Sequence, residues 1–412
     1  MIHTHVLSNG LPLLMERLPY LRSASLGVFV KAGSIMETPE ESGLSHFIEH
    51  MAFKGTATRS TRQIAEEIDM LGGNVNAATS KTITSYYARI TDKDLGKAIS
   101  LLADMLINPR FEQGEFEKEQ EVILEEIAME ADTPEDLVFN LLHEGVYQGQ
   151  SLAKTILGTR QVISRQTLAG LQAYRAQYYQ PGNAVLSVVG RFDQQQLIDW
   201  AETAFGSWQG NENRPFPVNH FQNSGKVLTL NKDVEQTHIC LSYPGLESMH
   251  EDRFAMAAFS TAFAGGVSSR LFQKVREQEG LVYSIYSAPT AYPGCGEFTI
   301  YAACTPQKVN RVIELVRQEA DALISEGLSK TEFLQTMAQM KTGYALGMES
   351  AYQRMAAMGS VKLMHDQLID QKNIMARLRR VTLRDVNRVM RDTLRHEPVL
   401  AAVGKQISRR LK

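Results

Sequence analysis

Apolar and polar positions along this chain lay out one plan twice. In the first half, ASLGVFVKAGS (24–34) and ITSYYARI (83–90) are short runs rich in small, β-branched and aromatic residues, and predict strands. A helix around residues 46–50 separates them. TDKDLGKAISLLADML (91–106) and EFEKEQEVILEEIAMEAD (115–132) carry apolar residues at helical spacing and predict helices. In the second half, THICLSYPG (237–245) and GEFTIYAACT (296–305) predict strands. EDRFAMAAFSTAFAG (251–265), PQKVNRVIELVRQEADAL (306–323) and TEFLQTMAQMKTGYAL (331–346) predict helices. The order strand, helix, strand, helix, helix returns after roughly 210 residues, which implies a duplication.

Between the halves, SWQGNENRPFPVNHFQNSG (207–225) has two prolines, many polar residues and no periodicity, and is the expected linker. The expected domains are then 1–210 and 226–412. Strands alternating with amphipathic helices make each an α/β or α+β sandwich. Asn9-Gly10 between apolar residues predicts a hairpin turn. Gly72-Gly73 predicts a turn that opens a strand or hairpin over Asn74–Ile90, near a sheet edge. Such an edge invites pairing with an extended peptide, although an ordinary hairpin has the same pattern.

The chemistry is concentrated in His46-Phe47-Ile48-Glu49-His50. Two histidines four apart on a helix project from one face, and Glu49 lies at its edge. Imidazole is a preferred zinc ligand, and a nearby carboxylate is the base such a site needs. The order His-x-x-Glu-His is the inverse of the commoner zinc-protease motif. A solvated helix turn would carry the same five residues, so a third ligand has to be found. In the 115–132 helix, Phe116, Ile123 and Ile127 form an apolar stripe flanked by Val122, and Glu117, Lys118, Glu121 and Glu125 fall on the opposite arc. Glu119, Glu126 and Glu130 fall inside the core-facing arc. Carboxylates there need a cation, either a metal or Arg and Lys partners. Geometry alone leaves the choice among these three open.

GLSHFIEHMAFKGT (Gly43 to Thr56), followed 76 residues after His50 by the last Glu of VILEEI, resembles the pitrilysin-type (M16) metallopeptidases. These include insulin-degrading enzyme, the mitochondrial processing peptidase and short bacterial homologues. The resemblance implies one Zn2+ per chain held by His46, His50 and Glu126. It implies Glu49 as the base acting on zinc-bound water, with Glu119 supporting the site. GGNVNAATS (Gly72 to Ser80) resembles the family's substrate strand, with Asn76 and Ala77 at the matching positions. SSRLFQKVREQEGLVYSIYS (Ser268 to Ser287) resembles a substrate-binding stretch, with Arg276 and Tyr283 at its matching positions. The fold implied is α+β: two duplicated domains, each a mostly antiparallel sheet with helices on one side. The activity implied is endopeptidase cleavage of peptides or short unfolded segments in a chamber formed by a homodimer. A non-catalytic peptide-binding or scaffolding subunit of the same fold is the alternative, and a metal-dependent hydrolase of another bond is a third.

The second copy lacks the metal residues. Ala, Met and Phe residues stand around Phe254 to Phe263 in their place, and the helix matching the glutamate-rich one carries Thr, Met, Gln and Gly. A cluster lost as a set is explained by a shared role.

Composition narrows the field further. At 412 residues each half is long enough for its own core, and 43% hydrophobic with 22% charged residues is ordinary for a soluble globular protein. A net charge of −3 gives no electrostatic case for nucleic acid or an anionic membrane as partner. The basic end, residues 408–412, reads as a frayed terminus. The N-terminal residues do not read as a secretory signal, and no run reaches the roughly 20 apolar residues of a spanning helix. Cys240, Cys295 and Cys304 are odd in number and lack metal-ligand spacing, as expected of buried thiols in a reducing cytoplasm. His143 reads as a helix-surface or core histidine. Met337, Met340, Met348, Met355 and Met358, at near-helical spacing, read as core packing or a greasy peptide-binding surface. No glycine-rich phosphate loop appears, so ATP dependence is not expected.

Overall fold

The computed structural model describes residues 2–222, 225–368 and 371–411. Asn223 and Ser224 of the expected linker, and Lys412 of the basic end, lie outside the described residues. The chain forms two compact units. One comprises residues 1–127, 155–217 and 346–371, and the other 128–154, 218–345 and 372–412. Each unit therefore takes one helical segment from the other half of the sequence.

The first unit holds a six-stranded sheet of β1 (Ile2–Val6), β2 (Pro12–Arg17), β3 (Ser23–Val30), β4 (Asn74–Thr79), β5 (Thr84–Thr91) and β6 (Ala184–Gly190), in the order β1-β2-β6-β3-β5-β4. The second holds β7 (Val227–Asn231), β8 (Thr237–Pro244), β9 (Val282–Tyr292), β10 (Cys295–Cys304) and β11 (Val399–Gly404), in the order β7-β11-β8-β10-β9. Leaving β1 aside, both sheets run first, fifth, second, fourth, third. Both are antiparallel except for one parallel pair, β2 with β6 and β7 with β11. The duplication is thus built into the topology as well as the sequence. The expected hairpin at Asn9-Gly10 joins β1 to β2, with Gly10 at φ 88°.

Helices on only one side of each sheet is a correction the structure makes. Central strands β3, β6, β10 and β11 are buried along nearly their whole length, so both faces need an apolar cover. One face of the first sheet packs Leu26, Val28, Tyr86 and Leu186 against Phe47 and Leu102. The other face packs Phe29, Val185 and Val189 against Met355 and Met358 of the helix Ala351–His365. Gly27 makes room for that helix, because a Cβ there would lie 2.6 Å from the Met355 sulfur. In the second unit, Phe259, Phe263 and Phe298 stack on one face. The helix Pro134–Val146 covers β8 and β11 on the other, burying Val138, Leu142 and Val146. His143 belongs to that helix and its Nε2 lies 2.9 Å from Glu297 Oε1.

Of the methionine run, Met337 is buried in the core of the second unit with Met340 packed against it, and Met355 and Met358 are buried in the first. The described residues of the linker stretch form no helix or strand but are tied down. Trp208 Nε1 donates to the Tyr179 carbonyl at 3.0 Å, and Lys31 Nζ donates to Asn213 Oδ1 at 2.6 Å. The basic end is not frayed at Ser408, whose hydroxyl meets Thr229 Oγ1 at 2.8 Å. The three cysteines are buried. Among the described residues no helix is long and apolar enough to cross a membrane.

Candidate metal centre

The motif helix, Leu44–Met51, is short and held at both ends. The buried Glu37 carboxylate accepts hydrogen bonds from the Gly43 and Ser45 amides, both at 2.8 Å, satisfying two donors that a helix start leaves open. Ser45 Oγ lies 2.8 Å from the Tyr174 hydroxyl. Beyond the helix, Thr56 donates to Asp104 at 2.5 Å, and Arg59 Nη1 reaches the same carboxylate oxygen at 2.7 Å. Gly43 sits at φ 96°, and a Cβ there would approach the Leu157 carbonyl oxygen to 2.5 Å. Gly43→Ala is therefore expected to destabilise the first unit by at least about 2 kcal/mol. A lowered thermal midpoint would show it. Gly114→Ala, where nothing lies within 4 Å, serves as the neutral comparison.

The glutamate helix, Gln113–Asp132, meets this anchor through stacked rings of Phe47 and Phe116, 4.8 Å apart. Phe116, Glu119, Ile123 and Leu124 are its buried residues. Val122, expected to flank the apolar stripe, is instead 42% exposed. The inward arc is centred on Glu119 and Ile123 because the helix lies against the Phe47 face. Two turns of helix then carry Glu126 to the histidines. Glu126 Oε2 is 3.7 Å from His46 Nε2 and 3.7 Å from His50 Nε2. Ligand atoms of the three residues all lie within 4.8 Å of one another, and among the described residues no other His, Cys, Asp and Glu group of three converges this way. Two imidazole nitrogens and a carboxylate oxygen are a zinc donor set. Their spacing approaches the roughly 3.3 Å between ligand atoms of a tetrahedron with bonds of about 2.0–2.1 Å.

Glu119 is the most buried carboxylate of the group. Its Oε2 lies 3.0 Å from His50 Nδ1, and its Oε1 2.6 Å from Lys54 Nζ. That contact orients the His50 ring with Nε2 toward Glu126. His46 Nδ1 is buried with no hydrogen-bond partner. Glu49 accepts from Thr79 Oγ1 at 2.5 Å, which links the motif helix to β4. Lys54, Thr79 and Glu37 escaped the reading of the sequence. Lys54 alone left a trace, at the next i+4 step after His46 and His50.

Burial, and then the neighbouring His50 charge, pushes the His46 imidazole down to about 4. Burial also acts to lower His50, but the Glu119 hydrogen bond and the Glu126, Glu119 and Glu49 charges outweigh it and raise its pKa above 6.5. Glu119 is lowered: burial opposes this, and the His50 and Lys54 hydrogen bonds prevail. Glu49 is raised, chiefly by burial, against the Thr79 hydrogen bond. A histidine with a raised pKa stabilises the fold fully below its unfolded value, and that stability is lost as pH rises through the folded value. A metal ligand must be neutral imidazole, so an incoming cation displaces the His50 proton. Metal affinity is expected to fall by roughly tenfold for each pH unit below the raised His50 value. Chelator competition across about pH 5.5 to 8 measures it, and a flat profile would contradict it.

β4 is the edge strand of its sheet, and the motif helix packs against it. Ala77 N–H bonds the side-chain oxygen of Asn76 at 2.9 Å and no neighbouring strand. The expected turn and hairpin over Gly72 to Ile90 are thus present, with Asn76 and Ala77 on an open edge. Arg276 and Tyr283 belong to the second unit. There the Arg276 guanidinium stacks 5.4 Å from the Tyr283 ring centre, and Tyr283 is 77% exposed.

Family models match across most of the chain. The Insulinase (Peptidase family M16) model covers residues 13–160, and the Peptidase M16 inactive domain model covers 166–340. A Bacillus subtilis (strain 168) protein named as an uncharacterized zinc protease, YmxG, is 36% identical over 98% of both chains. This chain belongs to peptidase family M16. A Streptomyces coelicolor relative of this M16 chain, also named as an uncharacterized zinc protease, is 35% identical over 98% of this chain and 90% of its own. A solved structure of a protease from Helicobacter pylori has the same fold, with TM-score 0.90 and 21% identity over 98% of this chain and 99% of that one. The inactive-domain match begins at residue 166, within the first half, and contains none of the three converging metal residues.

Proposed function

We propose that this M16 chain is a zinc-dependent endopeptidase that cleaves peptides or short unfolded segments. The observation that carries the reading is the convergence of His46, His50 and Glu126 beside Glu49, next to an open strand edge. Zinc held by those three residues would polarise a peptide carbonyl and acidify an attacking water. Glu49 takes the proton from that water and passes it to the leaving amine. Burial, opposed by the Thr79 hydrogen bond, raises its affinity for the proton it carries between the two. Glu119 and Lys54 keep His50 in its ligating orientation. A peptide pairs along β4, where its carbonyl replaces the Asn76 side chain on the Ala77 amide. Arg276 and Tyr283 act together on the substrate, the phenol donating to the developing oxyanion. Because one chain carries the metal residues and this pair, the assembly proposed is a homodimer enclosing the substrate.

The test is metal content per chain together with cleavage of a fluorogenic peptide panel, with and without chelator. Expected are one zinc per chain and cleavage that chelator abolishes and zinc restores. Cleavage that persists in chelator would overturn the reading.

A further inference from the structure

Thr79 faces Glu49 from the strand proposed to receive the peptide. Its hydroxyl has two candidate acceptors, Glu49 Oε2 at 2.5 Å and Thr84 Oγ1 at 3.2 Å. The Thr84 hydrogen is committed to the Ala32 carbonyl at 2.9 Å, so Thr84 cannot donate back. The shorter, charge-assisted bond to the carboxylate takes the Thr79 hydrogen. Hydrogen-bonded and outward-facing positions alternate along an antiparallel strand. Ser80 N–H bonds Ile83 across the hairpin, so the Thr79 amide points away from β5. Ala77, two residues back, has the same outward parity, and its amide also lies outside the ladder.

We propose that Thr79 is a positioning residue that clamps Glu49 by Oε2 and leaves Oε1 as the oxygen that carries the proton, a role that rests on the peptidase reading above. As the water's oxygen bonds the carbonyl carbon, its O–H bond breaks and the proton lodges on Oε1. It moves to the amine nitrogen as the C–N bond breaks. The strand that pairs with the peptide at Ala77 thereby also holds the base, about 7 Å further along. Peptide register and base position are set by one rigid element.

The test uses Thr79→Val, which keeps the shape and removes the donor, and Thr79→Ser, which keeps the donor. Zinc content and chelator-competition affinity are expected to match wild type in both. On a fluorogenic peptide, Thr79→Val lowers kcat by about tenfold to a hundredfold with KM within about twofold. Thr79→Ser stays within a few-fold of wild type. Crystal structures of both variants prepared without metal give a readout independent of turnover: Glu49 leaves its place in Thr79→Val and keeps it in Thr79→Ser. Unchanged kcat or an unmoved Glu49 in Thr79→Val overturns the proposal, as does a loss that appears in KM or in zinc content. A metal-loaded wild type that cleaves nothing ends the peptidase reading, and the Glu49 shift then still reports whether the clamp exists.

Discussion

Glu49→Gln is expected to lower peptide turnover by about 10²–10⁴-fold while zinc content per chain stays at the wild-type level. The substitution keeps the shape and the acceptor oxygen that Thr79 addresses. It removes the charge and the site that takes a proton. Glu49 is not among the three residues whose donor atoms converge, so the metal should remain. Turnover with zinc-loaded protein, read beside metal analysis, separates chemistry from binding. Equal cleavage by variant and wild type would remove Glu49 from the mechanism. If both bind zinc and neither cleaves any member of a broad peptide panel, the peptide-binding subunit becomes the better account.

The second large effect belongs to the glutamate helix. Glu126→Gln should weaken zinc binding by at least about a hundredfold, because one of three donors loses its charge. Glu119→Gln should weaken it by about tenfold to a hundredfold, because the carboxylate orients His50 without being a donor itself. Glu119→Gln also leaves Lys54 without the partner it meets at 2.6 Å. The two variants therefore differ in kind: Glu119→Gln should flatten the pH dependence of metal binding, since it removes the largest of the influences that raise His50. Titration of the metal-free variants with zinc in a competing chelator reads both. A smaller loss at Glu126 than at Glu119 would reverse the assignment of ligand and support.

Much of this site was legible before any fold was known. Helical periodicity put His46, His50 and Glu49 on one face, and the same arithmetic put Glu119, Glu126 and Glu130 on the buried side of a distant helix. It could not choose among the three, since all satisfy the same angular condition. The choice depends on how far along its axis the helix passes the histidines, and the Phe47–Phe116 stack sets that register. Thr79 was invisible for a related reason. A threonine in a strand is ordinary until the strand is known to lie beside the base.

The fold divides along the same line. Local patterning identified β3, β5, β8 and β10, the hairpins at Asn9-Gly10 and over residues 74–90, and the repeated order of elements, because side-chain periodicity depends only on neighbours in the chain. It also left an unread clue: β3, β6, β10 and β11 lack polar alternation, which means both sheet faces are covered. Which helices supply those covers is a long-range choice. Residues 351–365 pack on a sheet whose strands end by residue 190, and residues 134–146 pack on one whose strands begin at 227. Amphipathic helices of similar composition are interchangeable by pattern, and only complementary packing, such as Met355 over Gly27, distinguishes them. The candidate metal-binding histidines and base therefore share a local spacing, and the tertiary structure decided which distant carboxylate, lysine and threonine lie beside them.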